Sequence, residues 1–304
     1  MVRIRSADQL PPEEIIKALE LNYQRFEGNE RSNYVTKALE SLLQGELDPS
    51  LFISGWFEGT VVAVLSAEIL KDNSALLWSL QVSPNRWCPE WEDQLYGQLH
   101  ARLATRGVKM AYSFVLPDDS QVESAYLRNR YRKIAAVHNL TLEIRARSSI
   151  VPADYRIRNC AEAGRDIFNH LLLESFEGTL DFPELNALRT VEEAIAVFYS
   201  GQPDLQRWWI ICYQDQPCAI LIINDGAEPD HWQLSYLGVR PELRRKGHGR
   251  SAMALVLDAA WQAGVTAISL LVDGRNHPAF RLYLGLGFRR NGYRNLYLRD
   301  QIQG

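Results

Sequence analysis

The chain repeats itself. Shifted by 157 positions, so that 80 falls on 237, the chain of 304 residues aligns with itself without gaps over about 90 residues. Leu80 falls on Leu237, Val82 on Val239, Pro84 on Pro241 and Gly107-Val108 on Gly264-Val265. Tyr126-Leu127 falls on Tyr283-Leu284, Arg132-Lys133 on Arg289-Arg290, and Leu51-Phe52-Ile53 on Trp208-Trp209-Ile210. One constant offset over so many segments excludes a solenoid, whose unit is roughly 20–50 residues, and requires each copy to be a domain with its own core. The join falls at Arg145-Ala146-Arg147-Ser148-Ser149-Ile150-Val151-Pro152, a polar stretch that ends in proline. We therefore expect one domain over 1–147 and a second over 148–304.

Each copy carries the same order of local signals. Apolar positions at helical spacing predict a helix over Glu13–Tyr23 and over Ala161–Leu173, then a second over Tyr34–Leu43 and Val191–Tyr199. Alternating or continuous β-branched and aromatic runs around a short turn predict hairpins, Leu51–Phe57 with Thr60–Glu68, and Trp208–Tyr213 with Pro217–Ile223. A strand near Leu76–Val82 or Trp232–Val239 leads to a long helix, Trp91–Thr105 or Gly249–Ala263, stopped by Gly107 or Gly264. A strand (Met110–Val115; Ala267–Val272), a short helix around Tyr126 or Tyr283, and a last strand (Asn139–Ile144; Asn295–Arg299) complete each copy. The expected class is α+β: in each half a mixed, mostly antiparallel sheet with one parallel crossover, flanked by helices.

Composition narrows the function. Hydrophobic residues at 46% and charged residues at 23% are those of a globular chain. No apolar run reaches the roughly 18–20 residues of a membrane span, and Met1–Asp8 lacks the apolar core of a signal peptide. A formal charge of -4 argues against general nucleic-acid binding. Cys88, Cys160, Cys212 and Cys218 form no CxxC pair, and no His/Cys/Asp/Glu cluster has metal-ligand spacing. The expectation is a cytoplasmic protein with reduced thiols, no metal, and core rather than nucleophilic cysteines at 212 and 218.

Chemistry concentrates in Leu237-Gly238-Val239-Arg240-Pro241-Glu242-Leu243-Arg244-Arg245-Lys246-Gly247-His248-Gly249-Arg250-Ser251. A strand ends near Val239 and a helix begins near Gly249. Gly247 and Gly249 lack a Cβ, so consecutive main-chain N–H groups can converge on one anion. The helix start adds about half a positive charge and unpaired donors. Arg244, Arg245, Lys246 and Arg250 add full charges, and the whole reads as a cradle for a diphosphate. The stretch Gly247–Ala252 also fits the G-x-G-x-x-A dinucleotide fingerprint, with Asp273 beyond it. That fingerprint should follow its strand at once, within a βαβ unit, whereas here the loop is long and the preceding strands read as hairpins.

The two motifs in order, Arg244-x-x-Gly247-x-Gly249 and then Asn276-x-x-Ala279-x-x-x-Tyr283-x-x-x-Gly287-Phe288, resemble those of the GNAT N-acetyltransferase superfamily. The resemblance covers the second copy and, through the repeat, the outline of the first. The tandem arrangement is similar to that of double-GNAT proteins such as mycothiol synthase. It implies acetyl-CoA as cosubstrate and a small-molecule or peptide amine as acceptor. Leu237, Gly238 and Val239 would pair through their main chain with the pantetheine arm, and one N–H would polarise the acetyl carbonyl. Main-chain groups from Arg245 to Ser251, with Lys246, Gly247, His248, Gly249 and Arg250 between, would hold the diphosphate. Asn276 and Phe280 would border the cofactor, and Tyr283 would protonate the leaving thiolate. Glu174, Glu177 and Asp181 are the candidate general bases; the first two are preferred. His231 and His248 read as surface side chains. The rival reading is a non-catalytic CoA-binding or regulatory module, against which Asn276, Tyr283 and both loop glycines speak.

The first copy departs from the pattern. Arg244 falls on Trp87, Gly247 on Glu90, Gly249 on Glu92, Asn276 on Asp119 and Gly287 on Arg130, while Cys88-Pro89 replaces the basic approach. Two carboxylates stand where a diphosphate needs N–H donors, so this copy is expected not to bind acetyl-CoA in this way. Trp78, Trp87 and Trp91 give it an aromatic neighbourhood suited to packing or to an acceptor.

Overall fold

The computed structural model describes residues 2–84, 88–147, 153–200, 203–226, 228 and 230–302. Trp87 and the Ser148–Pro152 part of the expected join lie outside the described residues. The chain divides into two compact units, Met1–Ile134 with Asn295–Gly304, and Ala135–Arg294.

In the first unit, β1 (Arg3–Ser6), α1 (Pro12–Asn22) and α2 (Gly28–Leu43) precede β2 (Phe52–Phe57), β3 (Thr60–Ile69) and β4 (Ser74–Val82). Then come α3 (Pro89–Thr105), β5 (Met110–Val115), α4 (Ser120–Arg128) and the start of β6 (Arg132–Glu143). The second unit continues with β7 (Tyr155–Asn159), α5 (Cys160–Ala163), α6 (Arg165–Phe176), α7 (Pro183–Asn186) and α8 (Val191–Phe198). Its remaining elements are β8 (Trp208–Tyr213), β9 (Gln216–Asp225), β10 (His231–Val239), α9 (His248–Gln262), β11 (Ala267–Asp273), α10 (His277–Gly285) and β12 (Arg289–Asp300). No helix among the described residues is long and apolar enough to cross a membrane.

The sheet of the first unit has the order β1-β2-β3-β4-β5-β12, and that of the second β7-β8-β9-β10-β11-β6. In each, one neighbouring pair is parallel, β4 with β5 and β10 with β11. The class is the mixed, mostly antiparallel α+β sheet that the sequence predicts.

The compact units do not follow the expected cut at 147/148. Asn295–Asp300 lies antiparallel to β5, and Val137–Glu143 lies antiparallel to β11. The last strand of each copy thus completes the sheet of the other unit. Backbone pairing is blind to which copy supplies a strand, so the repeat leaves this choice open. β1 and β7 are edge strands of 4 and 5 residues that the sequence reading missed, because so short a run shows almost no periodicity. The final strands are longer than expected. Residues 289–294 of β12 are exposed and polar and carry no apolar signal.

Period-two alternation builds the second unit's core on both faces of its sheet. Trp209, Ile211, Leu221 and Ile223 point to Ala252, Met253 and Val256 of α9. Trp208, Ile210, Ile220 and Ile222 point to Phe168 and Leu172 of α6. Each such side chain contributes about 1.5–3 kcal/mol on leaving water.

Candidate active site

The parallel pair in the second unit does not stay together. β10 matches β11 only from His231↔Ala267 to Leu234↔Leu270. A bulge between Leu234 and Tyr236 then keeps β10 with β9, through Leu237↔Leu221, Gly238↔Ile220 and Val239↔Ala219. Beyond Leu234 the other edge of β10 is released from β11, and a cavity of about 140 Å³ opens, with Leu237, Leu270, Tyr236, Asp181 and Tyr283 in its wall. Gly238 is required by packing. A Cβ there would lie 2.4 Å from Ser175 Oγ and 2.6 Å from Tyr236 Oη, closer than real contacts allow. Ser175 Oγ donates to Leu172 O at 2.7 Å and so accepts from Tyr236 Oη at 2.8 Å.

Tyr283 lies on the inward face of α10, 7% exposed, with its ring edge-on to Phe288. Burial, together with the nearby carboxyl of Asp181, pushes its phenol well above the ordinary tyrosine value, so the group is a neutral proton donor. Asn276 caps the same helix by accepting from Ala279 N at 3.2 Å.

Asp181 is the unusual group. Its Oδ1 is buried and has no hydrogen-bond partner. Burial raises its carboxyl above the usual carboxylate value; hydrogen bonding with Asn276 opposes this, and the negative charge of Asp273 reinforces it. The segment that carries it is tightly held. Phe182 adopts φ 47°, a conformation a bulky residue enters only at a cost. Its N–H donates to Asp273 Oδ2 at 3.3 Å, and Asn186 Nδ2 donates to Asp181 O at 2.9 Å. Arg275 then ties β11 to α7, donating to Asp273 Oδ2 at 2.7 Å and to both oxygens of Glu184 at 2.6 and 2.9 Å. Asp273 is fully buried and both of its oxygens are engaged. The sequence reading did not find this network. Asp181 and Glu184 near α7 and Asp273-Gly274-Arg275 at the end of β11 carry no signal that they meet.

The preferred bases sit elsewhere. Glu174 pairs with Arg240 Nε at 3.1 Å and His170 Nε2 at 3.4 Å, and it is not in the cavity wall. Glu177 is exposed at the C-terminal cap of α6. The geometry favours Asp181 over both.

The glycine-led loop has the expected form with one changed role. Gly247, at φ 90°, is the N-cap of α9, and Arg245 takes φ 60°. The first helical hydrogen bonds come from Arg250 N and Ser251 N, both to Gly247 O. The N–H groups of Gly247, His248 and Gly249 therefore precede the helical ladder, as anion donors must. Arg245, Lys246 and Arg250 are exposed, and Arg250 Nη2 donates to Gly285 O at 3.2 Å. These residues fit a diphosphate: there is open space where Gly247 would carry a Cβ, and positive charge surrounds it. Arg244, by contrast, is committed to the protein. It donates to Val239 O at 3.0 Å, Ser175 O at 3.0 Å and Gly178 O at 3.3 Å, so it pins the loop to the end of α6. His248 is not a surface residue. It is 6% exposed, its Nδ1 shares a 2.7 Å hydrogen bond with Tyr155 Oη, and burial lowers its imidazole below the ordinary value. His231 is half-buried. Phe280 packs under the Arg290 guanidinium at 4.7 Å and edge-on to His138. Cys212 and Cys218 are buried free thiols, and burial pushes Cys218 up to about 11.

In the first unit the corresponding helix start is filled from within. Glu92 is 1% exposed at the beginning of α3 and pairs with Arg128 Nη2 at 2.6 Å. Glu90 accepts from Cys88 Sγ at 2.7 Å. Tyr126, the partner of Tyr283 in the repeat, stacks on Tyr297 and meets Tyr131 edge-on. Asp119 caps α4 by accepting from Val122 N, as Asn276 caps α10.

In the second unit the parallel pair of a mixed sheet thus parts beside a glycine-led helix start, with a buried tyrosine on the next helix. Residues 168–288 match the model of the acetyltransferase (GNAT) family. Among solved structures, the chain is similar to a GCN5-related N-acetyltransferase from Sphaerobacter thermophilus, at 15% identity and TM-score 0.70, over 100% of this chain and 96% of that one. It is also similar to a tandem GNAT protein from the clavulanic acid biosynthesis pathway (12%, TM-score 0.60, 99% and 98% covered). A GCN5-related N-acetyltransferase from Anabaena variabilis follows at 11% identity and TM-score 0.56, with 99% and 73% covered. At these identities the likeness is one of fold. None of the curated proteins matches the chain's sequence.

Proposed function

We propose that the second copy is an acetyl-CoA-dependent N-acetyltransferase that acts by direct transfer to an amine on a small molecule or peptide. The observation that carries this reading is the pairing of Asp181 and Tyr283 in the wall of one cavity, where β10 leaves β11. When bound, the acetyl thioester supplies an activated carbonyl and a thiolate leaving group.

Asp181 Oδ1, buried without a partner, takes a proton from the acceptor's ammonium and leaves a neutral nucleophile. A main-chain N–H of the released β10 edge, between Leu237 and Val239, donates to the carbonyl oxygen as its negative charge grows. Such a donor contributes roughly 3–4 kcal/mol. Tyr283 donates its phenolic proton to the departing sulfur and takes one back from the nitrogen as the amide forms, while Asp181 passes its proton to solvent. The N–H groups of Gly247, His248 and Gly249 hold the diphosphate, with Arg245, Lys246 and Arg250 around them. The first copy, with Glu92 in that place, does not hold the cofactor in this way.

The test is acetyl-CoA consumption, followed as free thiol released, over a panel of primary amines. Acetyl-CoA binding without turnover of any amine would favour the non-catalytic module instead.

A further inference from the structure

A second, larger cavity opens on the same strand. It measures about 480 Å³, and its wall includes Phe198, Arg207, Asp225 and Ser235. Ser235, exposed at the bulge of β10, also lines the smaller cavity that holds Asp181 and Tyr283. The two cavities therefore meet at one residue. Asn224 Nδ2 donates to Ser235 Oγ at 2.9 Å and holds it there. The first copy has Trp78 at this position in the repeat, so the small side chain belongs to the second copy alone. The volumes divide the work. About 140 Å³ suits only the reacting ends, whereas about 480 Å³ lies in the range of roughly 300–1,000 Å³ that holds a whole small ligand.

The walls of the larger cavity specify a chemistry. One side is apolar, from Val197, Phe198 and Pro203. The other carries Asp204, Arg207 and Asp225, its titratable groups among the described residues, with a formal charge of one negative unit. Arg207 is the recessed member. Its side chain is 18% exposed, and it donates to Asp204 Oδ2 at 2.9 Å and to Asp225 Oδ1 at 2.6 Å. The Asp225 side chain, by contrast, is 77% exposed. An incoming molecule therefore meets carboxylate before guanidinium.

We propose that this cavity holds the body of the acceptor, and that it selects aliphatic amines with a second cationic group over amines with a free carboxylate. The inference rests on the acyl-transfer reading of the neighbouring cavity and names its substrate class. The methylene chain lies on the Val197–Phe198–Pro203 side, the distal cation faces Asp225, and the reacting amine passes Ser235 to reach Asp181.

Three amines of equal chain length separate the terms: 1,5-diaminopentane, pentylamine and 5-aminopentanoate. With acetyl-CoA and the full chain, kcat/KM is expected to fall in that order, by about tenfold from first to last, as for one attraction and one repulsion across partly solvated ion distances. Asp225→Asn is expected to narrow the span to about twofold and to raise the relative rate of 5-aminopentanoate, because Arg207 is then less covered. Equal rates for the three, a preference for 5-aminopentanoate, or an order unchanged by Asp225→Asn would overturn the proposal. If none of the three is consumed, calorimetry of their binding to the CoA-saturated chain decides. The same order of affinity, narrowed by Asp225→Asn, supports the cavity assignment and counts against acyl transfer. Equal or absent binding overturns the cavity assignment.

Discussion

Arg128 meets Glu92 at 2.6 Å, at the helix start where the second copy has Gly285 and Gly249. The first copy thus carries its own anion where the second is proposed to hold a diphosphate. Two like charges about 4 Å apart repel by about 4 kcal/mol at an effective dielectric near 20, roughly a thousandfold in affinity before Arg128 offsets part of it. Titration calorimetry is expected to show one acetyl-CoA per chain. Gly249→Glu, which imports the first copy's residue, is expected to remove that one site. Thermal unfolding should change little, because a Cβ at Gly249 finds only ordinary contacts at 3.4 and 3.6 Å. Two sites per chain, or binding that survives Gly249→Glu, would count against the assignment.

Tyr283→Phe keeps the packing against Phe288 and removes only the hydroxyl. The expected result is a fall in kcat of roughly 10²-fold, with acetyl-CoA affinity unchanged. Equilibrium binding alongside steady-state rates checks it; an unchanged kcat would remove Tyr283 from the reaction.

Asp181 gives a pH signature. It must be ionised to accept a proton, and its pKa lies above the ordinary carboxylate value. The rate is therefore expected to rise with pH through that raised value, and Asp181→Asn to remove this limb along with most of kcat/KM. Stability moves the other way. Between the unfolded and the raised folded pKa, the native state binds more protons than the unfolded one, so Asp181 costs stability as pH rises through that window. Asp181→Asn is expected to raise Tm at neutral pH, with the gain shrinking as pH falls below the raised value. A loss of Tm at neutral pH, or an unaltered acidic limb, would contradict the role.

Gly238→Ala forces a methyl against Ser175 and Tyr236, whose atoms would stand at 2.4–2.7 Å. Such overpacking costs typically about 1–3 kcal/mol. Chemical denaturation should show that loss, and acetyl-CoA turnover should fall with it, because β10 must shift at the edge proposed to receive the thioester. A neutral Gly238→Ala would mean that the strand and α6 are not locked together.

Much of this was legible in one dimension. The constant offset gives two copies. The apolar runs of Trp208–Tyr213 and Pro217–Ile223 around a short turn mark the hairpin of β8 and β9. The glycines at 247 and 249 mark the helix start, because only residues without a Cβ leave those N–H groups open. The contrast with Glu90 and Glu92 shows which copy keeps the loop. Among Glu174, Glu177 and Asp181 the sequence offers no ground to prefer Asp181; in the structure Arg240 and His170 pair with Glu174, whereas Asp181 lies in the cavity wall.

The sequence by itself determined the elements, their order and the loop, since each rests on periodicity or on single residues with restricted backbone or side-chain freedom. Tertiary structure decided which last strand completes which sheet, what Arg244 holds, and which carboxylate faces the cavity. The reason is distance along the chain. Phe182 and Asp273 meet across 91 positions, and Arg244 reaches Ser175 across 69. Burial and electrostatic partners at that range exist only once the sheet has formed.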